Sequence, residues 1–275
     1  MGMKFKDFLK EEFTFPDGSY HCKLDNFLFP NSGVVIFEVQ NFDFVKLATQ
    51  VDAVRRTAFN RGGKPLELHL RIPYIPSARQ DRLCDEGEPF TAKVVAGLIN
   101  SLEFDRVFTV RPHSEVMSAL VDNLEVLDVD EVIDFNKVRE PSPIFNPVLV
   151  APDLGASKAT QKLADKLGWH MIQAFKDRDP KTGKINFIGV KEKLDPIIQY
   201  IVVDDVCAMG GTFLGLADNM RENGAERIDI VLAHVDKRNG LDKLIFKYDN
   251  IYTTNSQSGV EAFRQTQKVH ITDLF

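Results

Sequence analysis

A two-part α/β fold, each half a mostly parallel sheet flanked by helices, is the architecture this sequence predicts. Three observations carry that prediction. β-branched apolar runs alternate with amphipathic stretches through both halves of the 275 residues. A proline-rich polar segment, Asn136-Lys-Val-Arg-Glu-Pro-Ser-Pro-Ile-Phe-Asn-Pro147, lies between the halves and reads as a linker. The run Ile201-Val-Val-Asp-Asp-Val-Cys-Ala-Met-Gly-Gly-Thr-Phe213 sets strand, acid pair, glycines and helix start in the order of a sugar-phosphate cradle.

In the first half, residues 34–39 read as a strand and 45–59 as an amphipathic helix that stops near Gly62-Gly63. Residues 66–72 form the next strand and run into the turn Pro73-Tyr-Ile-Pro-Ser77. A helix over 92–102, a strand over 106–110 and a short helix over 115–121 complete a βαβαβ alternation. The second half begins with a strand over 148–151, a helix over 157–167 and strands over 170–175 and 197–203. A helix over 212–223, stopped by Gly224, and a strand over 228–235 follow. Residues 177–185 carry no core pattern and are the candidate for a mobile flap. The expected domain limits are 1–138 and 139–255, with residues 256–275 packing back on the first domain.

The bulk numbers narrow the function. A hydrophobic share of 44% and a charged share of 27% are those of a soluble globular protein. A net charge of −6 argues against nucleic acid as a partner, yet leaves room for a local basic site that takes polyphosphate. Cys22, Cys84 and Cys207 are widely spaced and form no metal-ligand pattern, which fits a reducing compartment. The first twelve residues are charged throughout, without the apolar core of a signal peptide, and no run is long enough to span a bilayer. A cytoplasmic protein without membrane contact is expected.

Polar clusters fall at the ends of the strands, where open α/β sheets bind ligands. They are Arg79-Gln80-Asp81-Arg82, Arg111-Pro112-His113, Asp153, Lys176-Asp177-Arg178 and the stretch from Asp204 to Thr212. In the last of these, Asp204 and Asp205 can accept hydrogen bonds from neighbouring ribose hydroxyls. Gly210 and Gly211 let backbone N–H groups approach a phosphate at the start of a helix. Each cluster also has a plain structural reading: a solvated turn, a satisfied histidine, surface charge, or acids that cap the next helix. Convergence of cations, a histidine and three acids at one edge favours a site for a metal–polyphosphate and a sugar.

The same residues carry a resemblance. Pro73-Tyr74-Ile-Pro-Ser-Ala-Arg79-Gln80-Asp81-Arg82 resembles the signature turn of the ribose-phosphate diphosphokinases, also called phosphoribosyl pyrophosphate synthetases. Val202-Val-Asp-Asp-Val-Cys-Ala-Met-Gly-Gly-Thr212 resembles the loop that they share with type I phosphoribosyltransferases. Phe15-Pro-Asp17-Gly18 resembles the start of the family's adenine site, Pro152-Asp153 its Pro-Asp motif, and Lys176 and Arg178 the cations of its catalytic loop. The resemblance implies two phosphoribosyltransferase-like domains and transfer of the β,γ-diphosphate of Mg-ATP to the anomeric hydroxyl of a ribose 5-phosphate. It implies that Arg79, Gln80 and His113 bind ATP and that Phe15 and Asp17 contact adenine across a subunit boundary of a homo-oligomer, while Arg111, which departs from the family, either contacts the ATP phosphates or disables metal binding. It further implies that Asp153, Asp204, Asp205 and the loop from Ala208 to Thr212 take the ribose phosphate, and that His113 and Asp153 touch Mg2+. Lys176 and Arg178 would close over the transferring group.

Four departures stand out. Arg111-Pro112 replaces the Asp-Leu of the family's Asp-Leu-His motif, Ser19 replaces a glutamate, and Cys84 an acid. Ala208 and Met209 replace an acid and a threonine beside the acceptor's 5-phosphate. Losing a charge and a hydroxyl there suits a larger acceptor, and a phage-encoded branch of the family takes ADP-ribose, in a route that rebuilds NAD. Two other readings stay open: a catalytically silent regulatory subunit, and a phosphoribosyltransferase.

Overall fold

The computed structural model describes residues 2–62, 66–141, 146–178, 185–235 and 240–274. The chain divides into two compact units, Met1–Leu127 and Asp128–Leu274. Each is described in turn.

The first unit starts with β1 (Met3–Lys4) and an antiparallel hairpin of β2 (Leu9–Thr14) and β3 (Tyr20–Leu24). There follow β4 (Gly33–Glu38), α1 (Phe44–Asn60), β5 (Leu66–Arg71), α2 (Thr91–Asn100), β6 (Arg106–Val110), α3 (Val116–Leu120) and β7 (Leu124–Leu127). The sheet order is β1-β4-β5-β6-β7, and every pairing in it is parallel. Val35, Ile36 and Phe37 are consecutive and all buried, as a strand covered on both faces requires. α1 buries Leu47, Val51 and Val54, spaced along one face, and Asp43 caps it by accepting the Lys46 N–H.

The second unit opens with two one-turn helices, α4 (Val129–Val132) and α5 (Phe135–Val138), then β8 (Val148–Ala151), α6 (Leu154–Leu167) and β9 (His170–Gln173). An antiparallel ribbon of β10 (Phe175–Arg178) and β11 (Ile185–Gly189) comes next. β12 (Gln199–Cys207), α7 (Gly211–Glu222), β13 (Arg227–Val235), the short α8 (Asp242–Leu244), β14 (Ile251–Thr254) and β15 (Val269–Thr272) complete it. Its sheet is parallel with the order β15-β14-β13-β12-β8-β9. Winding runs outward through β9 on one side and through β13 to β15 on the other, so the switch point lies between β8 and β12. Ligands of such sheets sit beyond the carboxyl ends of the strands at that point.

The fold class read from the sequence is the one observed, but the domain limits are corrected. α4 and α5, expected in the first domain, bury Val129, Ile133, Phe135 and Val138 against Leu149, Leu163 and Ile201 of the second. The C-terminal segment, expected to pack on the first domain, supplies β15 as an edge strand of the second sheet. Within the expected flap, residues 177, 178 and 185 belong to the ribbon, while residues 179–184 lie outside the described ones. Among the described residues, no helix is long and apolar enough to cross a membrane.

Candidate active site

In the first unit, two loops leave the adjacent strands β5 and β6 and are tied to each other. The Pro73 carbonyl accepts both the Val110 N–H and the Thr109 hydroxyl at 3.0 Å. Ile75 and Ala78 anchor the first loop in the core, which leaves Arg79 and Gln80 at the surface. The Gln80 N–H donates to the Ser77 carbonyl at 2.8 Å, and the Gln80 carbonyl accepts the Ala92 N–H of α2 at 3.2 Å. The second loop is strained. Arg111 (φ 35°) and His113 (φ 23°) both have positive φ, flanking Pro112, and the His113 N–H closes back on the Arg111 carbonyl at 2.9 Å. His113 is exposed and Arg111 half-buried. Thr109 and Ser77 carry no sequence signal for this bracing role; only the fold assigns it.

Phe15 and Asp17 sit in the turn of the β2–β3 hairpin. Phe15 packs edge-on against Phe13 at 4.7 Å yet stays 46% exposed. The Asp17 carboxylate accepts the Ser19 N–H at 2.9 Å, and that bond holds its carboxyl below the usual carboxylate range. Ser19, where the resemblance leads one to expect a glutamate, thus braces the acid beside it. Cys84 is a free, exposed thiol whose N–H donates to Glu88.

The second unit brings its predicted residues together at the switch point. Asp153 follows β8 and has a divided task. One carboxylate oxygen caps α6 through the Gly155 and Ala156 N–H groups, at 3.0 and 3.3 Å. The other lies 3.7 Å from the Lys176 ammonium. Lys176 also donates to the Thr212 hydroxyl at 2.7 Å, so one side chain joins the ribbon, the end of β8 and the start of α7. Arg178 is on the same strand, but its side chain lies outside the described residues.

Asp204 and Asp205 are not caps. α7 starts from Gly210, whose left-handed backbone (φ 78°) places no side-chain cap on the helix. Among the described residues no side chain accepts from the first-turn N–H groups of α7, the arrangement that suits an anion. The acids belong to β12, which runs on to Cys207 rather than stopping before them, because its ladder with β13 continues beneath them to Cys207 and Val235. The Asp204 carboxylate accepts the Asp205 N–H at 2.9 Å, and that of Asp205 the Val206 N–H at 2.8 Å. Burial, then the neighbouring charges of Asp205 and Asp153, push the Asp204 carboxyl well above the usual range. A surplus of negative charge held there attracts hydroxyl donors or a hard cation. Ala208 is half-buried, while Met209 projects, 64% exposed, from the loop before Gly210.

No family model matches the chain. Curated proteins do. The ribose-phosphate pyrophosphokinase of Vibrio parahaemolyticus is 31% identical over 243 residues, covering 85% of this chain and 73% of that protein. The chain belongs to the ribose-phosphate pyrophosphokinase family. The family's Sulfolobus acidocaldarius protein is 26% identical over 269 residues, 96% of this chain and 88% of its own. In fold, the phosphoribosylpyrophosphate synthetase of Mycobacterium smegmatis matches with a TM-score of 0.76 at 21% identity, covering 96% of this chain and 85% of that one. Membership makes the chain a transferase of the pyrophosphokinase class.

Proposed function

We propose that the chain transfers the β,γ-diphosphate of ATP to the anomeric hydroxyl of ribose 5-phosphate. The sugar oxygen attacks the β-phosphorus, the bond between the α,β-bridging oxygen and that phosphorus breaks, and AMP leaves with the bridging oxygen while the hydroxyl proton is released. The observation that carries this reading is the Lys176 ammonium, within reach of Asp153 and bonded to Thr212 at the mouth of the glycine loop. A cation held there neutralises charge that spreads over the transferring oxygens, which is most of what a phosphoryl-transfer enzyme has to supply. Arg178, two residues further along β10, is proposed to assist it.

Asp204 and Asp205 take the ribose hydroxyls, and the N–H groups of Gly210, Gly211 and Thr212 take the 5-phosphate. On the ATP side, Arg79, Gln80, Arg111 and His113 bind the phosphates and nucleoside, with Phe15 and Asp17 offered to a neighbouring copy in a homo-oligomer. The exposed face of Phe15 supports that assignment, because a purine stacks on such a ring. The donor set fits Mg2+. Among the described residues no three His, Cys, Asp or Glu side chains form a cage, but carboxylate oxygens with excess negative charge suit an ion held largely by substrate phosphates. Asp153 is the proposed contact in the second unit, and the ion when bound adds positive charge on the phosphate oxygens.

Met209 favours a second acceptor. Its exposed apolar side chain, next to Ala208 where an acid is usual, leaves room and charge tolerance for the diphosphate of ADP-ribose. The test is AMP release from Mg-ATP with each acceptor in turn. Release with neither removes the transfer reading and leaves the silent-subunit reading standing. Sugar transfer to a base without ATP would favour a phosphoribosyltransferase.

A further inference from the structure

α7 carries more than the phosphate loop. Thr212, Gly215 and Asn219 are three and seven residues apart, which sets them along one face of the helix. At Gly215 the helix has a notch: a Cβ there would lie 2.7 Å from Ile188 Cγ2, well inside van der Waals contact. One turn further, Asn219 Oδ1 accepts the Val190 N–H at 2.9 Å. The same side chain lies so close over Gly189 that any Cβ at that position would overlap it. Asn219 is itself braced, because the Asn223 side-chain amide donates to its carbonyl at 3.0 Å and to its Oδ1 at 3.2 Å. The Asn223 carbonyl in turn accepts the Leu194 N–H at 2.9 Å. The foot of the ribbon and the residues after it are thus fastened along α7.

The ribbon's register shows what the fastening controls. Ile188, seated in the notch, is the cross-strand partner of Lys176, and Gly189, under Asn219, is the partner of Phe175. The clamp therefore acts directly opposite the lysine whose amine reaches Thr212 at the start of the same helix. We propose that Asn219 and Gly215 are positioning residues: they set the height of the ribbon on α7 and so deliver the Lys176 ammonium to the phosphate loop. This inference rests on the reading of Lys176 as the cation of the transfer. Neither residue touches the substrates; each acts through Ile188, Gly189 and Val190.

The experiment uses the full chain in two arms. In the first, Lys176 is labelled with an amine-reactive reagent and quantified by peptide mapping. Lys176 is 12% exposed in its side chain, so it labels slowly in the parent and several-fold faster in Asn219→Ala. In the second arm, Asn219→Ala lowers kcat roughly tenfold or more with KM for ATP little changed, as expected for a cation displaced by about an ångström. Asn219→Asp keeps the acceptor oxygen and restores both readouts. Gly215→Ala, which favours the helix but fills the notch, also lowers kcat, and Ile188→Ala added to it recovers the loss. In a Lys176→Ala background Asn219→Ala changes kcat no further. An equal loss in both backgrounds, or unaltered labelling of Lys176, overturns the proposal. A parent protein that releases no AMP would sink the transfer reading, while the labelling arm would still decide the positioning claim.

Discussion

The Lys176 ammonium donates to the Thr212 hydroxyl at 2.7 Å, across 36 residues of chain, and that bond ties the ribbon to the glycine loop at the start of α7. It predicts a large catalytic effect with a small structural one. Lys176→Met, which keeps the aliphatic stem, should lower kcat by about 100-fold or more while leaving the melting temperature within a few degrees. Steady-state kinetics and a thermal melt check it. Loss of folding, or retention of activity, contradicts the role.

Asp204 supplies a pH test. Its carboxyl is raised by burial and by Asp205 and Asp153, so the native state holds this proton more tightly than the unfolded chain does. Stability from that proton is complete below the unfolded value of about 4 and is lost as pH rises through the native value. Asp204→Asn mimics the protonated form and keeps the oxygen that accepts the Asp205 N–H. The variant should therefore melt above the parent at pH 7, with the gap closing as pH approaches 4, and should lose acceptor binding. A gap independent of pH would count against the cause assigned here.

Arg111 supplies a trade-off. A non-glycine residue at φ 35° before a proline is strained, at a cost on the order of 1–2 kcal/mol. Glycine removes the strain but loosens the unfolded chain by roughly half of that. Arg111→Gly should therefore stabilise the protein by up to about 1 kcal/mol in urea titration while raising KM for ATP. Unchanged ATP kinetics would remove Arg111 from the nucleotide site.

The opposite ends of β12 and β13 carry a purely structural network. Asp229, fully buried, accepts from Gln199 at 2.6 Å and from Arg227 at 3.2 Å, and Arg227 pairs with Glu140 at 2.7 Å. Gln199 also donates to the Val138 carbonyl at 2.9 Å, so the network pins the chain leaving α5 to the sheet. Asp229→Ala leaves Arg227 without its buried partner and should cost about 3 kcal/mol. At a temperature where the variant is folded, kcat should be that of the parent, since the network lies at the amino ends of the strands.

Much of this was legible in the sequence, and the parts that were not have physical reasons. Strand 106–110 and helix α1 were readable because their apolar periodicity is what the core demands. β12 overran its expected end because main-chain pairing with β13 persists after the side chains turn acidic at Asp204. The ribbon of β10 and β11 left little trace, since Lys176, Asp177 and Arg178 carry no core face; it is held instead by Ile188 in the Gly215 notch. α4 and α5 were assigned to the wrong side because proline-rich composition marks a turn of the chain, not the core on which the preceding residues pack. In the site, residue types were legible from the motifs, whereas the contacts of Lys176 with Asp153 and Thr212 depend on a switch point that only strand order reveals.

The central claim is transfer of an intact diphosphate, and phosphorus NMR with ATP labelled at its β-phosphorus tests it most directly. With ribose 5-phosphate or ADP-ribose as acceptor, the labelled phosphorus should move into a diphosphate on the sugar's anomeric carbon as AMP appears in equal amount. Appearance of ADP with a singly phosphorylated sugar, or no consumption of ATP with either acceptor, would contradict it.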